Sequence, residues 1–513
     1  MKKRGILHGS ITDKIEKFGN KIPHPIYIFL ILIAVIMIVS TIFAGTTVTY
    51  QLSNSAGEIS EKTVTVTSQL SREALQNWLV NVVNYFKNAT TIMVILTLAL
   101  CLSVAEQSGF FETALTAILR KSPKTLVTYV LGIVGICCSI LADAGVVLSA
   151  SLGAVAFKSI RRNPVAGLMI GYASAAAGYT ANLFPCATDV TLNSVTEVMA
   201  PTYGYSSNLL SNWFYMIALT LVMGVVIAIV AERTVCKMFP DDQVFDNVST
   251  QDEEIGISDA QKRGLLYAVI AGGIVIALII VMTIPSDGFF RANDGSILPK
   301  SPLMSGIVPI IGMIFVAFGI AYGIGAGTIK NSNDVPRMMT KGMASFSSLI
   351  VVMFFASQMI SIFGTSGLGT VIAVKGKDFL TSISLTGLPL LIVFTLVVCV
   401  INFFMASNSA KWFILGPVFI PMFAGMDIHP AWTQLAYRIG DSCTNNITPV
   451  FSGFVICLAM LEGYIGKKEG SNSCVGTFLA AQVPFSLAFW VVYIIMLIVF
   501  WIFNLPIGVG IYR

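Results

Sequence analysis

The sequence predicts an all-α integral membrane protein, with nine transmembrane helices and two opposed re-entrant hairpins in an inverted repeat. Three observations carry that expectation. Long apolar runs alternate with charged loops, two apolar stretches return to the side they left, and the two halves carry matched interruptions. Of 513 residues, 55% are hydrophobic and only 11% charged, against about a quarter charged in a typical soluble domain. A bilayer core of roughly 30 Å needs about 20 helical residues. Residues 26–45, IYIFLILIAVIMIVSTIFAG, supply one such run. The run and its charged lead are too long for a cleaved signal peptide.

Lys and Arg concentrate in cytoplasmic loops. Lys2, Lys3, Arg4, Lys14, Lys17 and Lys21 precede the first span, placing the amino terminus in the cytoplasm and the polar loop 46–77 outside. A span near 88–107 returns to Arg120, Lys121 and Lys124. Residues 125–157 are too few for two crossings, yet Lys158, Arg161 and Arg162 mark the inside again. A break at Ala142-Asp143-Ala144-Gly145 leaves two arms of about 14 residues, each reaching about 21 Å. The segment is therefore predicted to be a hairpin entering from the cytoplasm. Residues 165–187 cross outward, 188–211 form a polar external stretch, and 212–231 return. The hydrophilic linker 232–263 is expected to be cytoplasmic and separates the halves 1–231 and 264–513. Spans at 264–284, 303–328 and 342–363 follow. A second hairpin at 387–427, broken at Ser407-Asn408-Ser409-Ala410-Lys411, opens to the other side. Spans at 431–464 and 477–503 complete the count and leave the carboxyl terminus periplasmic or extracellular.

The halves share a local pattern. Gln107-Ser108-Gly109-Phe110 corresponds to Thr365-Ser366-Gly367-Leu368. Each is followed by a broken apolar stretch, a loop with a proline (Pro164 and Pro430), and a span interrupted near its end. The interruptions read ANLFPCATD (181–189) and DSCTNNITP (441–449). Non-helical backbone at membrane depth must line a protein or water cavity, and broken helices aim their dipoles at ions or charged substrates. Four such breaks predict one site with access from either side, as a secondary transporter requires.

A charge at the bilayer centre costs about 2.5–3.5 kcal/mol on insertion scales. Asp143, Asp189, Lys411, Arg438 and Asp441 therefore each need a compensating role. Arg438 and Asp441 share one helical face. Either they form a self-satisfied ion pair, or Arg438 orients an anionic substrate while Asp441 carries a proton or helps hold a cation. Asp189 is either an ion-coupling group or a solvated carboxylate at the outer interface. Asp143 either caps the second hairpin arm or serves the site. Ser407, Asn408 and Ser409 are expected to face Asn445, Asn446 and Thr448, with Asn182, Thr188 and Asp189 as the first-half equivalents. Such neutral oxygens suit a polar substrate or a weakly held Na⁺, the latter at Asn408, Asn445 and Thr448. Trp412 either stacks on an aromatic ring or simply packs.

The runs SNSAKWFILGPVFIPM (407–422), PAWTQLAYRIGDSCTNNITP (430–449) and GYTANLFPCATD (178–189) resemble signature segments of the p-aminobenzoyl-glutamate transporter (AbgT) family, within the ion transporter superfamily. The likeness extends from the first span to the last. The resemblance implies a homodimer of nine-helix, two-hairpin protomers set in the lipid of the bacterial inner membrane. It implies transport of p-aminobenzoyl-glutamate or related aromatic folate-catabolite anions, and in some members export of sulfonamide antimetabolites. By matched position it points to Asp189, Ser409, Trp412, Pro430, Arg438, Asp441 and Pro449 as transport residues. A benzoyl ring suits Trp412 and a dicarboxylate suits Arg438. Phe184-Pro185-Cys186 is bulkier than the family pattern, which points to a different substrate shape. A Na⁺-driven carboxylate importer of the same superfamily is the competing reading. Neither the coupling ion, H⁺ or Na⁺, nor the direction of transport is written in the sequence.

Other classes lack their residues. The three histidines, His8, His24 and His429, lie far apart, and there is no HExxH, paired-Asp motif or GxSxG. No catalytic constellation, and so no enzyme or organic cofactor, is expected. The nine cysteines fall mostly in apolar runs, where Cys acts as a small hydrophobe. A channel calls for a continuous polar stripe along a helix, whereas the polar residues here gather at the breaks. The loop-bound Lys and Arg form no nucleic-acid patch.

Overall fold

A computed structural model describes residues 25–513 except 54–58, 89–90, 242–256, 298–300, 346, 406, 450, 452 and 466–473. The six basic residues ahead of the first span, His8, His24, the middle of the linker, and Lys467 with Lys468 lie outside the described residues. The chain opens with α1 (Pro25–Ile42), an antiparallel hairpin of β1 (Thr47–Ser53) and β2 (Ile59–Thr65), and α2 (Arg72–Asn88). There follow α3 (Thr91–Gln107), α4 (Phe110–Lys121), α5 (Val127–Cys138), α6 (Ala142–Ser159), α7 (Pro164–Ala177), α8 (Ala187–Met199) and α9 (Trp213–Val230). Beyond the linker lie α10 (Asp259–Thr283), α11 (Ile307–Ala326) and α12 (Asp334–Ser345). The last group is α13 (Ser347–Thr365), α14 (Leu368–Ser382), α15 (Gly387–Asn402), α16 (Asn408–Ala424), α17 (Pro430–Ser442), α18 (Phe454–Ile465) and α19 (Val475–Ile502).

By length and apolar composition, five described helical segments can cross a membrane: Lys124–Leu141, Trp213–Met238, α10, α11 and α19. The pair Ile350–Thr365 and Leu368–Ser382, bent by 69°, makes a sixth if taken as one span. The chain is thus a helical, multi-pass membrane protein. Shorter apolar helices, α6, α7 and α15 among them, stand beside these. Along α10, Leu266, Val269, Ile274, Leu278 and Val281 are exposed. Lipid tails solvate such side chains as well as a protein core does.

The order of elements from α3 to α9 recurs from α13 to α19. In each series a helix turns a corner at a glycine, Gly109 (φ 89°) or Gly367 (φ 74°), into the next helix. A left-handed residue at a corner favours glycine. The short internal likeness in the sequence marks these two corners.

Several sequence expectations shift. The loop 46–77 contains the β-hairpin, whose alternating TVTYQLS and ISEKTVT carry the period of a strand. Residues 188–211 are not simply a polar external stretch. They contain α8, whose Asp189–Thr196 are buried and which packs on α16 and α3. Polar residues on several faces hid its amphipathic pattern. The segment predicted as the first hairpin breaks at Ser139–Leu141, ahead of Ala142–Gly145, which form the first turn of α6. Gly145 is needed there because a Cβ would overlap the Cys138 carbonyl oxygen. The second break likewise precedes its polar run: the chain leaves helix after Asn402, and Ser407 caps α16 by accepting from Ala410 N–H at 3.4 Å. In both predicted hairpin segments the polar run starts the second helix and does not interrupt the first.

Small residues set the crossing of α6 and α7. A Cβ on Gly153 would strike the Gly167 carbonyl, and one on Gly167 would strike the Gly153 carbonyl. Ser149 Oγ donates to Gly171 O at 2.7 Å in the same seam. Such close approach supplies the packing that apolar surface cannot drive in lipid. Gly167→Ala is expected to destabilise the protein by about 1–3 kcal/mol through overpacking. Gly273→Ala, where no atom lies within 4 Å of the added methyl, should melt with the parent or slightly above it. Thermal unfolding in detergent checks this, and a Gly167→Ala protein that melts with the parent would refute the account.

Candidate functional site

The break between α7 and α8 starts at Gly178 and ends at Cys186, the N-cap of α8. Asp189 stands at the third helical position. Its Oδ2 accepts the Cys186 N–H at 2.7 Å, while its Oδ1 accepts from Arg438 Nη2 at 2.5 Å. Arg438 Nη2 also reaches the Tyr179 carbonyl at 2.9 Å. The two side chains are 4% and 2% exposed, which removes the solvated-carboxylate reading of Asp189. Thr180 Oγ1 donates to Arg438 O at 2.6 Å, and its hydroxyl also meets that of Ser442. Asn182 Nδ2 donates to Ser139 Oγ at 2.9 Å, tying this break to the one between α5 and α6.

The second charge of α17 has a different partner. Asp441 pairs with Lys411, the two side chains 0% and 1% exposed. Asp441 Oδ2 also accepts from Asn408 Nδ2 at 2.6 Å. The ammonium of Lys411 donates to Asn402 Oδ1. Asn402 Nδ2 lies 2.7 Å from Asp441 O, 2.9 Å from Thr444 Oγ1 and 2.8 Å from Asn445 Oδ1. The self-satisfied pair of Arg438 with Asp441 is therefore overturned: each finds an opposite charge on another segment. One buried ion costs several kcal/mol unless paired, and here both are.

The remaining predicted residues surround these pairs. Trp412 packs on Tyr437, ring centroids 4.6 Å apart, and donates to Leu192 O on α8 at 2.9 Å. The Tyr437 hydroxyl donates to Asn408 O. Asn446 Nδ2 reaches Gln482 O at 2.9 Å, and Gln482 Nε2 reaches Met169 O at 3.0 Å, which joins the last break to α19 and α7. Thr448 Oγ1 lies 3.4 Å from Phe403 O. Ser409 is half-buried in the first turn of α16, Pro430 opens α17, and half-buried Pro449 follows the turn Asn445–Ile447. The four breaks thus converge. Asn402, Tyr437 and Gln482 were missed by sequence reasoning, and Lys411 was noted only as a charge. The available signal was a lone polar residue inside an apolar run, clearest at Asn402 and Gln482.

A family model described as "AbgT putative transporter family" matches residues 10–513. The chain belongs to the AbgT family. It is similar to the p-aminobenzoyl-glutamate transport protein of Escherichia coli (strain K12), 31% identical over 508 residues, covering 98% of this chain and 97% of that one. Its fold is similar to the YdaH transporter of Alcanivorax borkumensis, whose crystal structure is described as revealing an unusual topology (TM-score 0.85, 29% identity, 95% of this chain and 100% of that one). It is similar also to Neisseria gonorrhoeae MtrF, described as illuminating a class of antimetabolite efflux pumps (TM-score 0.87, 29% identity, 97% and 98% covered). This AbgT-family chain is a membrane transporter and not an enzyme.

In this AbgT-family fold α8 lies between two cavities. One, of about 500 Å³, is walled by Val190, Asn193, Ser194 and Glu197 of α8, the starts of α3 and α11, and Val509 near the carboxyl end. Its volume is in the range of a drug-sized ligand site. The other, of about 240 Å³, lies between Ser194, Val195 and Val198 of α8, α13 and Phe413. Val190 follows Asp189 directly, so the larger cavity reaches the base of the helix that holds the first ion pair.

His429 fixes the start of α17. Its Nδ1 accepts the Ala431 N–H at 3.0 Å, and its ring meets Tyr205 edge-on at 4.9 Å. Burial pushes the imidazole down to about 4, with a hydrogen bond to the Ser206 backbone acting the other way. A base depressed on folding contributes stability that is full above its unfolded value, about 6.5, and is lost as pH falls toward 4. The melting temperature should therefore drop between pH 6.5 and pH 4. His429→Asn keeps an N-cap acceptor and should flatten that part of the profile. An unchanged slope in the variant would show that other groups set it.

Proposed function

We propose that this chain is an ion-coupled secondary transporter moving p-aminobenzoyl-glutamate, or a related aromatic folate-catabolite anion, across the bacterial inner membrane. The observation that carries the reading is the pair of buried ion pairs on α17, each reaching to a different chain break. Similarity to the E. coli p-aminobenzoyl-glutamate transport protein supports the substrate class, and likeness to MtrF supports export of sulfonamide-like antimetabolites as a second activity.

The roles follow from charge. Arg438 Nε is buried without a hydrogen-bond partner among the described residues, so the guanidinium has capacity for a substrate carboxylate. When that carboxylate displaces Asp189, the freed Asp189 takes up a proton and keeps the interior neutral. One proton then accompanies one substrate charge. Asp441 is the second coupling carboxylate, with Asn408 hydrogen-bonded to it, and Asn445, Asn446 and Thr448 of the following break are assigned to the same ion site. Trp412, buried against Tyr437, becomes an aromatic surface for a benzoyl ring when the site opens. Ser409 and Asn182 supply polar contacts, and Pro430 and Pro449 fix the ends of the moving segments. The 500 Å³ cavity is the waiting position outside this site.

The same reading arranges the chain as nine spans and two opposed re-entrant hairpins, within the ion transporter superfamily. The halves 1–231 and 264–513 form an inverted repeat about the cytoplasmic linker 232–263, with hairpins at about 125–157 and 387–427. The amino terminus is cytoplasmic, the carboxyl terminus periplasmic or extracellular, and the assembly a homodimer.

Uptake of radiolabelled p-aminobenzoyl-glutamate into proteoliposomes, under a pH gradient in one arm and a Na⁺ gradient in the other, tests this. Uptake of a plain dicarboxylate with none of the aromatic substrate would favour the carboxylate importer instead. Asp189→Asn and Asp441→Asn are expected to lower flux at least about tenfold, since a truncated buried charge pair costs about 2–5 kcal/mol. Parental rates in both folded variants would sink the site assignment.

A further inference from the structure

The larger cavity holds a single charged group. Of the described residues that line it, only Glu197 carries an ionisable side chain; the rest, Met93, Val308 and Ser206 among them, are apolar or neutral. Its carboxylate is oriented by a relay that begins in the loop after α8. Ser207 Oγ, 3.1 Å from Ser211 Oγ, donates to Asn193 Oδ1 at 2.6 Å, and Asn193 Nδ2 donates to Glu197 Oε2 at 3.1 Å. With its oxygen taken by Ser207, the Asn193 amide turns its N–H group to the carboxylate. Glu197 is thereby presented as an acceptor, and its Oε1 takes no hydrogen bond from any described residue. Val190, Asn193 and Glu197 stand at i, i+3 and i+7 on one face of α8. An apolar wall and an acceptor therefore line the same side of the cavity.

That arrangement has a sign. A carboxylate repels the carboxylates of an anionic cargo and accepts strongly from polarised N–H groups. The cation with spare capacity lies at the other end of the helix: Arg438, paired with Asp189, has its Nε unpartnered among the described residues. A molecule lying along α8 with a negative end and an N–H end is thus accepted in one orientation. The eight-residue step from Asp189 to Glu197 rises by about 12 Å, room for a benzoyl ring and an amino-acid tail between the two. We propose that Glu197 is a specificity residue that binds the primary amine of an aromatic amine. The cargo waits in the cavity of about 500 Å³ with its amine on Glu197 and its carboxylates toward Arg438. A plain dicarboxylate, or an aromatic acid without that N–H, loses the contact and keeps the repulsion. This deepens the transport reading above and rests on it for the carboxylate tail, whereas recognition of the amine depends on the cavity alone.

The test measures binding to the full-length protein in detergent, with p-aminobenzoyl-glutamate and benzoyl-glutamate as paired probes. The parent should bind the amine at least about tenfold more tightly, as a hydrogen bond to a charged group allows. Glu197→Gln keeps the shape of the side chain and removes its charge. It should weaken the amine by about that factor and bind benzoyl-glutamate as well as the parent does, or better. Equal affinity of the parent for the two probes overturns the proposal, as does a folded Glu197→Gln that weakens both alike or neither. Should Glu197→Gln fail to fold, Glu197→Asp, which withdraws the carboxylate by one methylene, must show the same selective loss, and its absence refutes the assignment. If neither glutamate conjugate binds, the transport reading fails in its cargo. The tail-free pair 4-aminobenzamide and benzamide then judges Glu197 separately: a preference for the amine that Glu197→Gln abolishes supports it, and no preference overturns it.

Discussion

Helix α17 carries two opposite charges one turn apart, both buried, and neither is neutralised by the other. Arg438 reaches Asp189 at the base of α8, and Asp441 reaches Lys411 at the base of α16. Because an uncompensated buried ion costs several kcal/mol, these pairings constrain where two helices, α8 and α16, begin. They also explain why the chain breaks where it does. Asp189 can accept the Cys186 N–H and an arginine together only at a helix start that faces α17, and Asn408 can serve Asp441 only from the first turn of α16. The breaks are geometric requirements of the charges.

Around that centre the packing is of two kinds. Helices α6 and α7 approach through Gly153, Gly167 and Gly171, with no space for a methyl group, and α7 is buried over nearly its whole length. Helix α10 instead turns large aliphatic side chains outward. Backbone contact suits a part that must keep buried polar groups in register, since shape then depends on covalent geometry more than on side-chain rotamers. Aliphatic surface suits a part that meets lipid.

Much of this was legible in the sequence. The apolar runs, the intramembrane charges and the glycine corners at Gly109 and Gly367 all mark real elements. The sequence could not assign partners. Arg438 and Asp441 share a helical face, and local reasoning pairs them. The fold overrode that because two further charges, distant in the chain, were brought within reach. The breaks in the two predicted hairpin segments were displaced for a related reason: Asp, Asn, Ser and Gly read as interruptions, but the first turn of a helix is where such residues cap free N–H groups. Helix α8 escaped because it has a charge pair at its base and a cavity on either side, so no apolar stripe distinguishes it.

That helix divides its work along its length. Its first turn holds Asp189 in the charge network, while Asn193, Ser194 and Glu197 farther along face open space. Substitutions in the outer turns can reshape the cavity without touching a buried ion, and substitutions at the base cannot avoid one. Under selection by a toxic or scarce compound, adaptive change in such a protein has a cheap route through the outer turns.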